Sequence, residues 1–479
     1  MRVVYVNPPY GENFVRSARW AAKSRGRVQR HPEQALIHIA VLEEAGHKCK
    51  FIEGAACNMT EEQVLKEIKK FKPDLAIIHT TTPSIYNDIE YAKNAKKMTG
   101  CKTVMVGAHA SAVPDDTLKK AKGAVDAVAR GEIEYTLRDI ANGTPLKDVL
   151  GIVYQSKGKI VHNQPRPLLD VNELPFPSWK HIDPHWYHDA GKLFPFLTLY
   201  TGRGCFGLCT FCRETQVING RALRMRDAKK VVDEMEYDLK LYPDLKEIMF
   251  ETDTFTAIPK HTKDVCNEII KRGLNKKISW SCNVRVDIKL ELLPLMKEAG
   301  CRMLMIGYEF GTQKQLNAVK KQTTPEMGRK FSEEANRLGF ILHGCFMIGA
   351  PGETKESAQA TIDFAKSLPL DTIQVSGIAV YPGTALYDWA KKNDYITAKD
   401  WKDWVDENHE QVTLLSYPQM SKAEIDFYID KALREFYLRP KQMWKMATNI
   451  RNIGDIVRKF YGLKMFLDYF KKNKREAKA

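Results

Sequence analysis

The feature that most constrains the fold is an alternation of short apolar runs with helical patterns, which a proline-rich connector divides into two series. The first series has five apolar runs, at 3–6, 49–52, 75–78, 103–106 and 124–128, with helical patterns near 34–45, 61–71, 86–98 and 115–121. Strands that alternate with helices pair in parallel. The pattern therefore predicts a Rossmann-like, doubly wound α/β domain whose ligands bind beyond the carboxyl ends of the strands.

The connector at 165–177 is followed by a second series of six apolar runs, at 196–200, 247–250, 278–280, 303–306, 342–348 and 372–375. Six strand–helix units predict an open, partial (β/α)6 barrel, whose functional residues collect at the carboxyl ends of its strands. A chain of 479 residues has room for two or three domains. We predict a first domain at 1–145, a linker at 146–190, a barrel at 191–390 and a helical, basic C-terminal domain at 391–479.

Three cysteines lie close together at the start of the second series. Cys205, Cys209 and Cys212 can hold three irons of a [4Fe–4S] cube and leave the fourth iron open for chemistry. Zinc and simple burial are the alternatives, but zinc sites usually add a second cysteine pair or histidines. The other seven cysteines are scattered singly, as buried structural thiols are. Free thiols without a signal peptide predict a reducing, cytoplasmic location.

The cysteine spacing resembles that of the radical S-adenosylmethionine (radical SAM) family, and so does the polar or glycine residue that follows each barrel strand. The resemblance implies a [4Fe–4S] cluster at Cys205, Cys209 and Cys212, and cleavage of bound S-adenosylmethionine to a radical that abstracts hydrogen. It implies that Glu251 and Asp253 face the amino group or ribose, Arg285 the carboxylate, and Phe211 and Gly349 the adenine. Glu309 and Gln374, at two further strand ends, complete the predicted S-adenosylmethionine site.

The loops after the first-domain strands are rich in small and hydroxyl residues, which suit a large ligand with an amide-rich periphery. These loops resemble the cobalamin-binding domain that precedes many radical SAM domains. The predicted cobalamin-binding residues are Pro8, Tyr10, Thr80, Thr81, Thr82, Ser84, Gly107, His109, Ser111, Gly131 and Glu132. Helix capping and chain turning are the alternative roles of the hydroxyls and glycines.

The usual cobalt-ligand motif, Asp-x-His-x-x-Gly, does not occur in the chain. We therefore expect cobalamin to bind with its tail base displaced and without a cobalt ligand from that motif. His79 and His109 are the histidines of the loops concerned. We interpret both as polar loop residues rather than cobalt ligands.

The resemblance covers about residues 1–390 and is closest to a subgroup associated with hopanoid biosynthesis, through the runs 251–255, 280–283 and 349–354. It implies a cobalamin-dependent enzyme that methylates an unactivated carbon of a peptide or protein side chain or of another substrate. The alternative is a cyclase or rearrangement enzyme that acts on a lipid. Either reaction implies an external electron donor such as flavodoxin or ferredoxin. The sequence identifies no catalytic side chain.

The net charge of +15 is concentrated, because the residues from Arg439 onward contain twelve Lys or Arg and three Asp or Glu. An apolar stripe accompanies these charges at Trp444, Met446, Ile450, Ile453, Val457, Phe460, Phe466 and Tyr469. Packing on the barrel is the preferred interpretation, and contact with a membrane surface is the alternative.

Two other functions explain the sequence less well. A second basic patch lies at 16–30, but charge alone is weak evidence for RNA modification. Radical SAM enzymes that transfer a methylthio group to RNA also carry an extra N-terminal cysteine triad and a C-terminal β-barrel. This chain shows neither pattern, so we expect no nucleic acid partner. A cobalamin-sensing module would not need three cluster cysteines.

Overall fold

The computed structural model describes residues 1–17, 20–23 and 28–448. Its N-terminal part is built on nine strands: β1 (Arg2–Asn7), β2 (Phe14–Arg16), β3 (Ala21–Lys23), β4 (Lys48–Glu53), β5 (Leu75–His79), β6 (Lys102–Val106), β7 (Ala127–Ala129), β8 (Ile152–Ser156) and β9 (Lys159–His162). The order of the main sheet is β4-β1-β5-β6-β7-β8-β9, and β2 and β3 form a separate hairpin. All pairings from β4 to β7 are parallel.

Six helices accompany these strands: α1 (Glu33–Glu44), α2 (Glu61–Phe71), α3 (Ile85–Thr99), α4 (Ala108–Ala112), α5 (Pro114–Ala121) and α6 (Glu134–Ala141). Alternate residues of β1 enter different cores. Val3 and Tyr5 pack in the cluster that contains Leu36 of α1, whereas Val4 packs in the cluster that contains Ile89 of α3. Helices therefore cover both faces of the sheet, and the predicted doubly wound domain is confirmed.

The segment predicted to be the linker contributes to this sheet. Strand β8 pairs antiparallel with β7, and β9 pairs antiparallel with β8, so the sheet continues to His162. Gly158, with a φ of +78°, lies in the turn between the two strands. The parallel strand–helix repeat that predicts the first domain does not extend to this antiparallel hairpin.

Eight further strands follow: β10 (Phe196–Leu199), β11 (Gly202–Arg203), β12 (Arg224–Met225), β13 (Glu247–Phe250), β14 (Ser279–Val284), β15 (Cys301–Glu309), β16 (Ile341–Ile348) and β17 (Thr372–Gly377). Six of them form a parallel sheet in the order β10-β13-β14-β15-β16-β17, and β11 and β12 form a small hairpin. The predicted partial barrel is therefore confirmed.

The remaining helices of the barrel and the C-terminal part are α7 (Ala228–Leu241), α8 (Pro259–Lys271), α9 (Leu293–Glu298), α10 (Gln313–Ala318), α11 (Pro325–Arg337), α12 (Lys355–Ser367), α13 (Ala385–Lys392), α14 (Lys422–Tyr437) and α15 (Pro440–Thr448). Ser421 caps α14 through the expected capping box with Glu424. Helix α14 buries Ile425, Ile429 and Phe436 against the barrel.

The segment between α13 and α14 joins the barrel to the first domain. The Trp401 indole donates to Asp116 Oδ2 at 2.7 Å, and the Tyr86 hydroxyl donates to Asp400 Oδ2 at 2.9 Å. Trp404 donates to the carbonyl of Val380 at 3.0 Å on the barrel side. These hydrogen bonds fix the two halves relative to each other.

Most of the predicted apolar stripe of the tail lies outside the described residues, from Ile450 onward, as does the side chain of Met446. Trp444 is 73% exposed. In the second basic patch, Arg19, Arg25 and Arg27 also lie outside them, whereas Arg16 is buried and paired with Asp88 at 2.8 Å. Within the described ranges, no helix is both long and apolar enough to cross a membrane.

Candidate functional site

The cysteine loop is held by its own neighbourhood in the sequence. Gly204, with a φ of +89°, begins it, and a Cβ there would lie 2.1 Å from the carbonyl oxygen of Ala222. The side-chain amide of Gln216 donates to the carbonyls of Cys209, Thr210 and Cys212 at 3.3, 3.2 and 2.8 Å. One glycine and one amide therefore fix the path of the loop.

The three thiols are free and lie on one loop. Thr254 donates to Cys205 Sγ at 3.1 Å, and a Cβ on Gly207 would lie 3.3 Å from Cys205 Sγ and 3.8 Å from Cys209 Sγ. Burial raises the pKa of the Cys212 thiol to about 11, which favours the neutral form. Bound iron would reverse this preference, because a thiol that coordinates a metal is deprotonated. Among the described residues, no group of three or more His, Cys, Asp or Glu side chains is arranged to hold a single metal ion. A cube binds each thiolate to a different iron and leaves the fourth iron open, so three free thiols on one loop suit a cluster.

Two buried cations lie beside the loop. Arg285 is paired with Asp287 at 2.7 Å, and a Cβ on Gly207 would lie 3.0 Å from Arg285 Nη1. Lys321 is paired with Glu309 at 2.7 Å. Burial opposes the charged form of Lys321, but Glu309 and Cys209 raise its pKa overall. The predicted residues Arg285 and Glu309 thus come together at the loop, with Lys321 as a partner that the sequence analysis missed.

The predicted acids Asp253 and Glu251 separate. Asp253 lies at the root of the cysteine loop, where its Oδ2 accepts from the Gly204 amide at 3.2 Å and from Asn219 at 3.0 Å. Glu251 instead faces a neighbouring cavity and lies 3.5 Å from Arg30. Two residues apart in the chain, the two carboxylates serve different parts of the site.

The other predicted S-adenosylmethionine residues lie farther around the barrel or at its core. Gly349 follows β16 with a φ of +100°, and its carbonyl accepts from the Tyr417 hydroxyl at 2.8 Å. A Cβ on Gly349 would lie 3.3 Å from Ile425 of α14. Gln374 is exposed on β17, and Phe211 packs partly buried against the main core.

A cavity, partly open to solvent, lies where the carboxyl edge of the first sheet meets the barrel. Of the predicted residues, Gly107, Gly131, Glu132 and Glu251 line it. Gly107 has a φ of +107°, and a Cβ there would lie 2.5 Å from the carbonyl oxygen of Thr80. A side chain at this position would therefore distort the edge of the cavity.

The predicted hydroxyl residues are hydrogen-bonded within the first domain and do not line this cavity. Thr80 donates to the carbonyl of Val106 at 2.8 Å, and Ser84 donates to Asp88 at 2.7 Å. Thr81 is hydrogen-bonded to Ser84 at 2.7 Å. Buried hydroxyls need such partners, which the sequence does not reveal.

The remaining predicted cobalamin residues also lie off the cavity lining. Tyr10 packs on Phe14 and His409, with ring centroids 5.0 and 4.5 Å apart. Ser111 accepts from the Gly131 amide at 3.3 Å. Pro8 is buried in the loop after β1.

The two histidines considered as cobalt neighbours have different surroundings. His109 is fully buried, lies 3.3 Å from the Thr82 hydroxyl and packs edge-on against Trp401. His79 lines the cavity, with Nδ1 3.3 Å from Asn7 Oδ1. Burial lowers the pKa of each to about 3, so both imidazoles are neutral.

Buried ion pairs join the cavity to the cysteine loop. Arg203, two residues before Cys205, pairs with Glu134 at 2.5 Å, and Arg224 pairs with Glu132 at 2.6 Å. Burial disfavours a charged Glu134, but Arg203 holds its pKa down to about 2. The first domain and the cluster loop thus share one charged network, of which the sequence analysis identified only Glu132.

Glu33, at the start of α1, reaches across the cavity to the barrel. Its carboxylate accepts from the Tyr200 hydroxyl at 2.8 Å and from Thr198 at 3.2 Å. Burial, helped by the charge of Glu251, raises the pKa of Glu33 to about 7. No local pattern marks this acid, because its partners lie more than 160 positions away.

The lining of the cavity suits cobalamin in polarity. Arg16 is buried on its wall and donates Nη2 to the His79 carbonyl at 2.7 Å. Its Nε and Nη1 have no hydrogen-bond partner among the described residues. Buried donors of this kind suit the amides at a corrin periphery, and the glycine edges at Gly107 and Gly131 allow close approach of a large ring.

Comparisons with known proteins match both halves of the chain. A model of the radical SAM superfamily matches residues 199–365, and a model of the B12 binding domain matches residues 29–141. The uncharacterized methyltransferase PH0819 of Pyrococcus horikoshii is 33% identical over 421 residues, which are 86% of this chain and 89% of that protein. The anaerobic magnesium-protoporphyrin IX monomethyl ester cyclase of Rubrivivax gelatinosus is 27% identical over 404 residues, 81% of this chain and 69% of that protein.

A solved structure has the same overall fold. The radical S-adenosylmethionine methyltransferase TsrM of Kitasatospora setae, with cobalamin and a [4Fe–4S] cluster bound, matches with a TM-score of 0.70 at 16% identity, over 92% of this chain and 89% of that one. The chain belongs to the cobalamin-binding radical SAM enzymes, in the family that contains cobalamin-dependent methyltransferases. Its cofactors are a [4Fe–4S] cluster, S-adenosylmethionine and cobalamin.

Proposed function

We propose that this enzyme methylates an unactivated carbon of a peptide or protein side chain, or of another substrate, held between the barrel and the first sheet. One observation carries the proposal: a single cavity is bounded by the carboxyl edges of both sheets. Gly107 and Gly131 form its first-sheet side, and Tyr200 and Glu251 form its barrel side. Cofactors bound at the two edges would face a common space.

Cys205, Cys209 and Cys212 would hold the cluster, and Arg285, Glu309 and Asp253 would bind S-adenosylmethionine beside it. Phe211, Gly349 and Gln374 would complete that site around the adenine and the far strands. Gly107, Gly131 and Arg16 would contact cobalamin. The bound cofactors supply a radical that abstracts hydrogen and a transferable methyl group.

The chain's own residues bind these groups and orient them. The guanidinium of Arg285 and the ammonium of Lys321 lie beside the cysteine loop. There they would offset the negative charge of the cluster thiolates and of the S-adenosylmethionine carboxylate. The Arg203–Glu134 pair fixes the distance between the loop and the first sheet. The hydrogen bonds of Trp401 and Tyr86 hold the two halves together.

The second candidate is ring formation or rearrangement of a lipid, as in the subgroup associated with hopanoid biosynthesis. Its support is the relative named as a magnesium-protoporphyrin IX monomethyl ester cyclase. Methylation has the stronger support, because the relative named as a methyltransferase has the higher identity and the greater coverage of this chain.

Counting the products of S-adenosylmethionine separates the two reactions. The reconstituted enzyme is incubated anaerobically with S-adenosylmethionine that carries a deuterated methyl group and with an extract of cells that lack the gene. Methylation should yield 5′-deoxyadenosine and S-adenosylhomocysteine in equal amounts and a product that carries the label. Mass spectrometry of the protein and lipid fractions then identifies the substrate class. Stoichiometric 5′-deoxyadenosine without S-adenosylhomocysteine or labelled product would contradict methylation and favour the cyclase.

A further inference from the structure

The cysteine loop exposes two large apolar side chains. Phe206 is 43% exposed and Leu208 is 42% exposed, although both lie between cluster cysteines. The Arg285 guanidinium lies 5.0 Å from the centre of the Phe206 ring, which holds the ring in place. Adjacent exposed apolar groups at a fixed position mark an interaction site more often than isolated ones do.

Basic residues surround this apolar pair. The exposed Arg221 donates to the carbonyl of Gly207, within the loop itself. Lys320 is exposed and follows Val319, whose carbonyl accepts from the Thr210 amide at 3.0 Å. Lys314 is exposed on α10, the helix that ends at this point.

The charges of this rim are not neutralised. Arg221, Lys314 and Lys320 have no ion-pair partner in the part of the chain that the structure describes. The neighbouring acids Asp287 and Glu309 are already paired, with Arg285 and Lys321. Two exposed apolar side chains and three basic residues without ion-pair partners among the described residues therefore lie on or next to the cysteine loop.

We propose that Phe206, Leu208, Arg221, Lys314 and Lys320 form the docking surface for an acidic one-electron carrier protein, a flavodoxin or a ferredoxin. This inference rests on the proposed function, because reductive cleavage of S-adenosylmethionine consumes one electron. The carrier is oxidised by one electron and the cluster is reduced by one. Docking on the cysteine loop gives the shortest path between the two centres.

The physical chemistry of such encounters fits this surface. Electron-transfer complexes are small and short-lived, with interfaces below about 1,200 Å². Charge complementarity acts mainly on their association rate, which falls as salt screens the charges. Two exposed apolar groups suit a small interface, and the exposed basic residues near them supply the charge that attracts an acidic partner.

The test compares two reductants on the reconstituted enzyme. Stopped-flow absorbance follows cluster reduction by a reduced, acidic flavodoxin and, separately, by dithionite, which needs no docking surface. In the variant Lys314→Glu/Lys320→Glu, the flavodoxin-driven rate at low salt should fall about tenfold or more. The dithionite-driven rate should stay within about twofold, since neither lysine contacts the cysteines. A reduced ferredoxin should show the same loss.

The control is Lys93→Glu/Lys97→Glu, an equal change of charge on the exposed face of α3. It should leave both rates unchanged. An unaltered flavodoxin-driven rate in Lys314→Glu/Lys320→Glu, or an equal loss in the control, overturns the docking surface and leaves the proposed function standing. An equal loss with both reductants also overturns it, because the lysines would then support the cluster itself. Absence of 5′-deoxyadenosine from the unmodified enzyme with every reductant would instead contradict the proposed function.

Discussion

The cysteine loop and the cavity of the first sheet hold their functional groups in different ways. In the loop, Cys205, Cys209 and Cys212 lie within eight positions and are fixed by Gly204 and Gln216, which are also local. The cavity has contributions from the first sheet, from α1 and from the barrel, joined by buried ion pairs. The loop site therefore depends on a few local residues, whereas the cavity depends on how two domains pack.

The largest expected effect concerns the loop. Replacing Cys205, Cys209 or Cys212 by alanine should abolish both bound iron, about four atoms per chain in the unmodified protein, and formation of 5′-deoxyadenosine, since each change removes one of three protein ligands. Iron analysis and chromatography measure the two losses.

The buried thiols Cys101 and Cys266 provide the matched controls, because they lie in the cores of the two domains. Alanine at either position should leave the iron content unchanged. Full activity of Cys209→Ala would refute the cluster assignment.

The next effect concerns the network between the two regions. Arg203→Ala leaves Glu134 buried without its cation, which should lower the free energy of unfolding by about 3–5 kcal/mol. Urea denaturation measures the loss. Arg337→Ala, which breaks an exposed pair with Glu334, should change stability little. If the two variants were equally stable, the Arg203 pair would not join the domains.

The smallest effect concerns Glu33 and depends on pH. Its pKa rises from 4.5 to about 7 on folding, so the folded protein binds the extra proton and loses stability as pH rises between these values. One pKa unit corresponds to about 1.4 kcal/mol, so Glu33→Gln should be more stable than the unmodified protein at pH 8 by on the order of 3 kcal/mol.

At pH 4.5 the advantage of Glu33→Gln should nearly vanish, because the acid is then protonated in the folded protein. Urea denaturation at the two pH values provides the comparison. Glu44→Gln, at the exposed end of the same helix, is the matched control. A constant difference between Glu33→Gln and the unmodified protein at both pH values would show that Glu33 is ionised throughout.

The predictability of the site follows the same division between the two regions. The cysteine spacing, the capping box at Ser421 and the alternation of parallel strands with helices are local or periodic patterns, and the structure contains all three. Thr80 and Ser84 had the right chemistry for a ligand, but Val106 and Asp88 accept their hydroxyls. Residue type alone does not show which buried hydroxyl already has a partner.

The sequence by itself determined two successive parallel α/β units and a three-cysteine loop, because strand and helix periodicity and close cysteine spacing are set by neighbouring residues. Tertiary structure decided the rest. It brought Glu33 to Tyr200, Arg203 to Glu134 and Lys321 to Glu309. A buried charge must find its partner wherever packing allows, and that choice depends on the whole fold and not on spacing along the chain.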